Sequence, residues 1–500
     1  MAYNQANGLV DSVTQPDGSV THQRYDHSGR TVEAWTSPKD KPDVRDEYVR
    51  TSYDPVTGNV SAQWFDNDEA GSKITYTYYP DGSLKERTDP GGKKTSFTYT
   101  DDNKTATVTD HTGAVTHYSY EAKSGRLSEA VQNRDGKELG KATYTYDTAG
   151  RLEKIDRGNG AQSTYTHNDA NMPTAEKHTK PGGDVIAEHT YTYNHQRKLA
   201  TDIATVDGRK TATSYTYNDQ GNLTQSHTTE GDRPGEGPLA HKSEYTYDLA
   251  TNLTQKKDTR IQDGQEKTTT TDYTPDKTSR TTHVTTDGQQ NTQEYDDLGR
   301  LTRAADGTTH TYNTSGQLTE TKTPDGTTVN HTYNPAGERL TQTTHTPDGQ
   351  HNTLTYHPGT ETDHNGATAN YLTGTTRETR NLTHPDGTTE TSYYLTNTHG
   401  DKTHTLDTNG NTTHTEYTDY GTPTTPTPHT GTLTENPYGY AGQYTTPTGH
   451  QPLGTRWYDP TNAAFTTPDT PTAGMLNPYT YATGDPINHT DPTGQSPANA

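Results

Sequence analysis

Cysteine is absent from these 500 residues, which removes disulfides, thiolate metal sites and cysteine nucleophiles together. Long apolar runs are missing too: no stretch approaches the roughly 18 residues that a helical membrane span requires. The N-terminus, Met1-Ala2-Tyr3-Asn4-Gln5, has no basic region leading into an apolar one, so no secretory signal is read there. Positive charge is scarce, with 42 Lys and Arg against 65 acidic residues and a net charge of −23. That balance disfavours a nucleic-acid backbone as partner. Apolar residues reach only 24%, a level usual in disordered chains. Phe and Trp are nearly missing at three each, yet Tyr numbers 35. A buried Tyr brings a large apolar ring and keeps a hydroxyl for a hydrogen bond, so a Tyr-based core folds a chain that looks too polar to fold.

What recurs is Tyr-x-Tyr followed by Asp or Asn, then Gly, then often Arg-Leu or Asn-Leu. The clearest copies are Tyr144-Thr145-Tyr146-Asp147-Thr148-Ala149-Gly150-Arg151-Leu152 and Tyr215-Thr216-Tyr217-Asn218-Asp219-Gln220-Gly221-Asn222-Leu223. Others centre near Tyr25, Tyr53, Tyr78, Tyr120, Tyr193, Tyr247, Tyr295, Tyr312 and Tyr333. Their spacing is roughly 17 to 30 residues, the period of a repeat array. Asp-Gly pairs such as Asp17-Gly18, Asp81-Gly82, Asp325-Gly326 and Asp386-Gly387 fall between them.

Tyr-x-Tyr among threonines alternates with period two, so both rings fall on one face of a strand. Asp or Asn three residues ahead of Gly is turn chemistry, the side chain accepting from backbone N–H groups while Gly takes positive φ. Asp-Gly pairs are hairpin signals. Each repeat therefore predicts strand, turn, strand, turn. One hairpin cannot bury its own Tyr face, but hairpins stacked side by side can. The predicted fold class is all-β: a β-hairpin array forming a long, spiralling antiparallel sheet, with Tyr and Thr hydroxyls bonded to one another across strands.

From residue 11 to about 420 this array resembles the YD repeat of bacterial RHS proteins, insecticidal toxin-complex C components and, more distantly, animal teneurins. Beyond it come Tyr438-Gly439-Tyr440-Ala441-Gly442-Gln443-Tyr444, Leu453-Gly454-Thr455-Arg456-Trp457-Tyr458-Asp459-Pro460, Asn477-Pro478-Tyr479-Thr480-Tyr481, Asp485-Pro486-Ile487-Asn488 and Asp491-Pro492-Thr493-Gly494. In that order they are similar to the RHS-repeat-associated core. The resemblance implies a β-cocoon over residues 1–430, a core over 431–494 curled inside it as a plug, and a stub of the variable toxin region over 495–500. In many members the core is an intramolecular aspartyl protease that cuts just after the terminal Asp-Pro-x-Gly and leaves the toxin sequestered until delivery.

Aspartyl hydrolysis needs two carboxylates close enough to share one proton. The candidate pair is Asp469 and Asp491, with Asp459 in reserve and the cut between Gly494 and Gln495. Arg456 could polarise the scissile carbonyl or hold a carboxylate. The competing reading makes each Asp-Pro a turn, with Asp accepting N–H bonds ahead of a fixed φ. Three departures from the family pattern favour it. Thr461-Asn462-Ala463-Ala464-Phe465 lacks the usual Gly-Arg before Phe, Asp469-Thr470-Pro471-Thr472 is an eroded motif, and Gln495 stands where self-cleaving members often have Leu. The core is thus an autoprotease at most, and otherwise no enzyme.

Asp66-Asn67-Asp68-Glu69-Ala70-Gly71 resembles a calcium loop but lacks the oxygen ligand at its fifth position, so it reads as a turn. The 24 His lie in strands such as Thr403-His404 and Thr413-His414 and read as sheet-surface residues, with no convergent partner for a metal. No cofactor is expected, because neither a phosphate loop nor a nucleophile elbow is present. The function expected is a shell that encapsulates and delivers a C-terminal polymorphic toxin in interbacterial competition. The cargo is expected to be absent from a chain that stops at Ala500. Expected partners are that cargo, a secretion apparatus and an immunity protein, with localisation secreted or at the cell surface through a specialised system or an upstream region. The rival expectations are a wall-associated protein whose Tyr-rich sheet binds carbohydrate or protein partners, and a degenerate cassette without activity.

Overall fold

The computed structural model describes residues 1–4, 7–425, 429–469, 477–495 and 497–499. Residues 470–476, with most of the eroded Asp469-Thr470-Pro471-Thr472 motif, lie outside the described residues, as does Ala500. Two antiparallel sheets dominate. One has 25 strands, from Ala2–Tyr3 to Gln289–Thr292; the other has 13, from Glu294–Tyr295 to Thr412–His414. Strands pair with their neighbours in sequence, as Lys137–Tyr146 does with Leu152–Arg157 and that strand with Gln162–His167. Between the sheets Gln293 still donates its N–H to Thr282 O at 2.8 Å, so the ribbon runs on.

The repeat's signature has a local cause at every position. In the copy at 144–152, Thr145 is exposed while Tyr144 is buried and Tyr146 half-buried, which is the expected alternation. A register shift then sets Tyr146 against Leu152. Asp147 Oδ1 accepts from the N–H of Ala149 and of Arg151, and Oδ2 accepts from Arg151 Nε at 2.6 Å. Gly150 takes φ +81°, which only Gly adopts without strain. The arginine of one turn lies over the second tyrosine of the next repeat: Arg30 is 4.4 Å from the Tyr53 ring centre and Arg300 5.0 Å from that of Tyr312.

The second tyrosine's hydroxyl does not join a side-chain ladder. It donates to a carbonyl of the preceding repeat, from Tyr53 to Thr31 O (2.6 Å), Tyr120 to Thr105 O (2.8 Å), Tyr146 to Leu127 O (2.8 Å), Tyr217 to Leu199 O (2.8 Å) and Tyr333 to Leu318 O (2.7 Å). The expected ladders form between threonines instead, as in Thr192–Thr201 (2.6 Å) and Thr332–Thr341 (2.6 Å).

The ribbon comes back onto itself. Arg87 bonds Glu338 at 2.8 Å, Arg134 bonds Thr383 at 2.9 Å, Tyr165 donates to Thr396 O at 2.9 Å, and Thr398 N donates to Glu176 at 2.7 Å. These partners are 222 to 251 residues apart in the chain, so one wrap of the spiral consumes about half of it. The seam encloses charge: the Arg157–Glu378 ion pair at 3.2 Å is fully buried on both sides.

The segment after the array lies between the two sheets. Toward the first sheet, Asp485 pairs with Lys198 at 2.5 Å and Asn488 bonds the Tyr217 hydroxyl at 3.0 Å, while Tyr479 donates to Gly299 O, in the first turn of the second sheet, at 2.7 Å. Toward the second, Tyr444 receives Gln342 at 3.0 Å and Tyr438 donates to Glu361 at 2.6 Å. Its own centre is a stack of Tyr458 on Tyr481, 4.1 Å apart, packed with Phe465, Tyr440 and Leu453 against Leu223 and Tyr245 of the wall. This covering corrects the expectation that the histidines lie on the sheet surface: His178, His310, His331 and His404 are buried, because returning wraps and the enclosed segment cover the face that carries them.

Candidate functional site

Arg456 opens the strand Arg456–Asp459, which pairs with Gln451–Leu453 on one side and Ala464–Phe465 on the other. The tight turn Gly454-Thr455 between the first two strands matters. A Cβ on Gly454 would lie 2.3 Å from Thr493 O, and one on Gly494 would lie 2.3 Å from Leu453 O. Two backbones therefore cross at a pair of glycines, and Thr455 N donates to Thr493 O at 3.2 Å. This crossing lays the turn Asp491–Gln495 directly on Arg456.

The guanidinium then meets every candidate group but one. Its Nη2 is 3.2 Å from Asp469 Oδ2 and 3.4 Å from Asp491 Oδ2. Its Nε donates to the carbonyl of Gly494, and Nη1 to Pro478 O at 2.8 Å. Its plane covers the Phe465 ring, 3.6 Å from the centroid. All three charged side chains are at most 6% exposed. Burial pulls the guanidinium below its usual value, and the two facing carboxylates oppose that shift.

The two carboxylates are held differently. Asp491 Oδ1 accepts the N–H of Gln495 at 3.1 Å, so one oxygen touches the peptide that follows Gly494 while the other faces Arg456. Asp469 donates its own N–H to Pro478 O at 2.9 Å, but among the described residues its Oδ2 accepts no hydrogen bond beyond the Arg456 contact. The Gly494–Gln495 peptide is thus gripped at its oxygen by Arg456 and at its nitrogen by Asp491. Asp459 takes no part. Its oxygens accept from Thr461 N at 2.9 Å, Asn462 N at 3.3 Å and Asn462 Nδ2 at 2.5 Å, which is the turn role.

The missing Gly-Arg leaves a visible trace. Ala463, where the glycine is usual, still takes φ +55°, a left-handed conformation that costs an alanine roughly 1 kcal/mol. Ala464, in place of the arginine, pairs through its backbone with Asp459 and Thr480. The stretch 66–71 is a turn: Asp68 caps the single helical turn Glu69–Ser72, accepting from Gly71 N at 3.1 Å, and Asp66 pairs with Arg50.

The RHS Repeat family model matches residues 312–351. The tRNA3(Ser)-specific nuclease WapA of Bacillus spizizenii is 26% identical over 406 residues, which are 74% of this chain and 15% of WapA. Among solved structures, TcdB2-TccC3 superposes with a TM-score of 0.83 at 16% identity, covering 98% of this chain and 28% of that one. The Photorhabdus luminescens Tc holotoxin pore gives 0.82 at 16%, covering 99% and 27%. The chain therefore spans about a quarter of the length of those solved chains and less of WapA. At such identities the likeness is one of fold, and the fold shared is the spiralling antiparallel shell.

Proposed function

We propose that this RHS-repeat protein is the wall and internal plug of a shell for a C-terminal toxin, and that its core cuts the chain after Gly494. The observation that carries the reading is the convergence of Arg456, Asp469 and Asp491 on the Gly494–Gln495 peptide, inside a segment held between two wraps of the wall. One guanidinium facing two carboxylates leaves one net negative charge, which a single shared proton neutralises. In the cleavage, Asp469 Oδ2 takes a proton from a water that attacks the Gly494 carbonyl. Arg456 Nε stabilises the charge gathering on that oxygen. Asp491 Oδ1, already at the Gln495 nitrogen, delivers the proton that lets the amine leave.

Containment follows from the wall: a cargo on the inner side of the sheet meets neither partners nor proteases. The solved relatives include one described as lacking its hypervariable C-terminal region, which supports a cargo placed after the core. That WapA is a nuclease supports nucleases as one class of cargo. Export through a specialised system, delivery to competing bacteria and neutralisation of the cargo by an immunity protein complete the reading.

The test is a small folded reporter fused after Ala500, followed by intact mass. The expected result is a cut between Gly494 and Gln495 in the parent and none in Asp469→Asn or Asp491→Asn. An uncut parent, equal in mass to both variants, would make these carboxylates structural and leave the wall alone to carry the function.

A further inference from the structure

A second group of side chains, far from the core, has no role in cleavage. Asp207 sits at the tip of the hairpin formed by Leu199–Val206 and Arg209–Tyr217, in a left-handed conformation at φ +49°. His404 and His414 face each other across the last two strands of the array, Lys402–Leu406 and Thr412–His414. Their rings stack in parallel, 4.4 Å apart. The return of the ribbon brings the two elements together, which is why no local spacing announced the group. Asp207 Oδ2 is 3.5 Å from His414 Nδ1 and 3.8 Å from His404 Nε2. All three donor atoms lie within 4.8 Å of one another.

Two further observations point to a ligand. His404 is 1% exposed, yet its Nε2, aimed at Asp207, makes no hydrogen bond. A buried ring nitrogen without a partner is costly unless something else completes it. On the other side Asp207 and His414 border an open cleft of about 260 Å³ that also contains Glu416. Arg209 shares that cleft but is engaged by Glu230 at 2.5 Å.

We propose that Asp207, His404 and His414 bind one divalent transition-metal cation of the zinc class, tying the last hairpin of the array to the 199–217 hairpin of the earlier wrap. A tetrahedral ion with ligand bonds of about 2.1 Å spaces its donors about 3.4 Å apart. The distances to Asp207 therefore need to contract by only a few tenths of an ångström. Two imidazoles and one carboxylate select zinc, cobalt or nickel over calcium or magnesium. The fourth position opens on the cleft, where water or Glu416 completes the shell.

The test is titration of the full chain with Co²⁺, read by the visible d–d bands of a four-coordinate ion, and Zn²⁺ competition by calorimetry. The expected result is one site per chain, a melting temperature several degrees higher with Zn²⁺, and reversal by a chelator. Asp207→Asn and His414→Ala should each weaken binding at least about tenfold. Asn tolerates the left-handed turn, so the first variant keeps the fold, and Asp263→Asn, at another hairpin tip, is the control that retains binding. Two results would overturn the proposal. One is no stoichiometric binding. The other is binding unchanged in both variants, which would place the ion elsewhere.

Discussion

The wall and the core use the same five-residue turn to opposite ends. In the wall, Asp147-Thr-Ala-Gly150-Arg151 is self-contained: Oδ1 accepts the N–H of the residue four ahead, and Oδ2 is taken by that residue's own guanidinium. In the core, Asp491-Pro-Thr-Gly494-Gln495 keeps the first bond, from Gln495 N to Oδ1, but Gln replaces Arg. The second oxygen is left for a guanidinium from a different strand, Arg456, which also brings Asp469 and the Gly494 carbonyl. The wall pair is about one-fifth exposed on each side, the core group nearly dry. One substitution at the fourth position after Asp separates a turn that closes on itself from one that recruits.

The largest break in that comparison should come from the arginines. Arg456→Met leaves two buried carboxylates without a cation and should cost about 3–5 kcal/mol, or release the core outright. Arg151→Met should lower the unfolding midpoint far less, since a pair still partly open to water contributes little. Denaturant melts of both variants check this, and equal losses would erase the distinction between the two settings.

Next come the glycines. Gly494→Ala sets a Cβ against the Leu453 carbonyl and should cost at least about 2–3 kcal/mol. Gly150→Ala meets only the flexible end of Arg126 and should cost nearer 1 kcal/mol. Protease susceptibility of the core reads the first; the melting temperature reads the second.

A smaller effect separates the tyrosines. Tyr146→Phe removes a hydroxyl bonded to Leu127 O and should cost about 1 kcal/mol in the wall. At Tyr247 the equivalent hydroxyl turns away from the wall to the Tyr420 hydroxyl at 2.8 Å. Tyr247→Phe should therefore loosen the core's docking, seen as faster amide exchange around Tyr420 rather than in the adjacent strands. In the opposite direction, Ala463→Gly should stabilise the core by up to about 1 kcal/mol by relieving the left-handed alanine.

The last difference is one of pH. Burial would raise the Glu435 carboxyl, but bonds from His429 and Thr430 outweigh it and hold the group down at about 2. A depressed carboxylate contributes stability above its unfolded value near 4.5 and loses it as pH falls toward 2. The 429–435 loop should open across that window, and Glu435→Gln should flatten the dependence when melting temperature is followed against pH.

Most of the wall was legible because its causes are local. Tyr-x-Tyr set the alternation, Asp and Gly set the turns, and both act within a few residues. The destination of the second tyrosine's hydroxyl was not legible, since it depends on the register shift that carries Tyr146 past Thr145 to Leu152. In the core, Asp469, Asp491 and Arg456 were marked by motif. That Arg456 reaches the Gly494 carbonyl rests on two backbones crossing at Gly454 and Gly494, a contact between segments 38 residues apart. The histidines were misjudged for the same reason on a larger scale. Thr-His-Thr looks like surface until a wrap from two hundred residues away closes over it.

At Tyr53, Tyr120, Tyr146, Tyr217 and Tyr333 the second tyrosine's hydroxyl points backwards along the chain, from its repeat to the one made before it. During synthesis a newly emerged hairpin therefore finds its lock already in place, and never waits for sequence still inside the ribosome. Such a wall can grow as a ratchet, one hairpin per step, with the advancing edge strand the only unpaired one at any moment. The seam to the first wrap closes only after a full circuit, and the segment from Tyr438 onward, translated after the wall, arrives when the strands that hold it have been made.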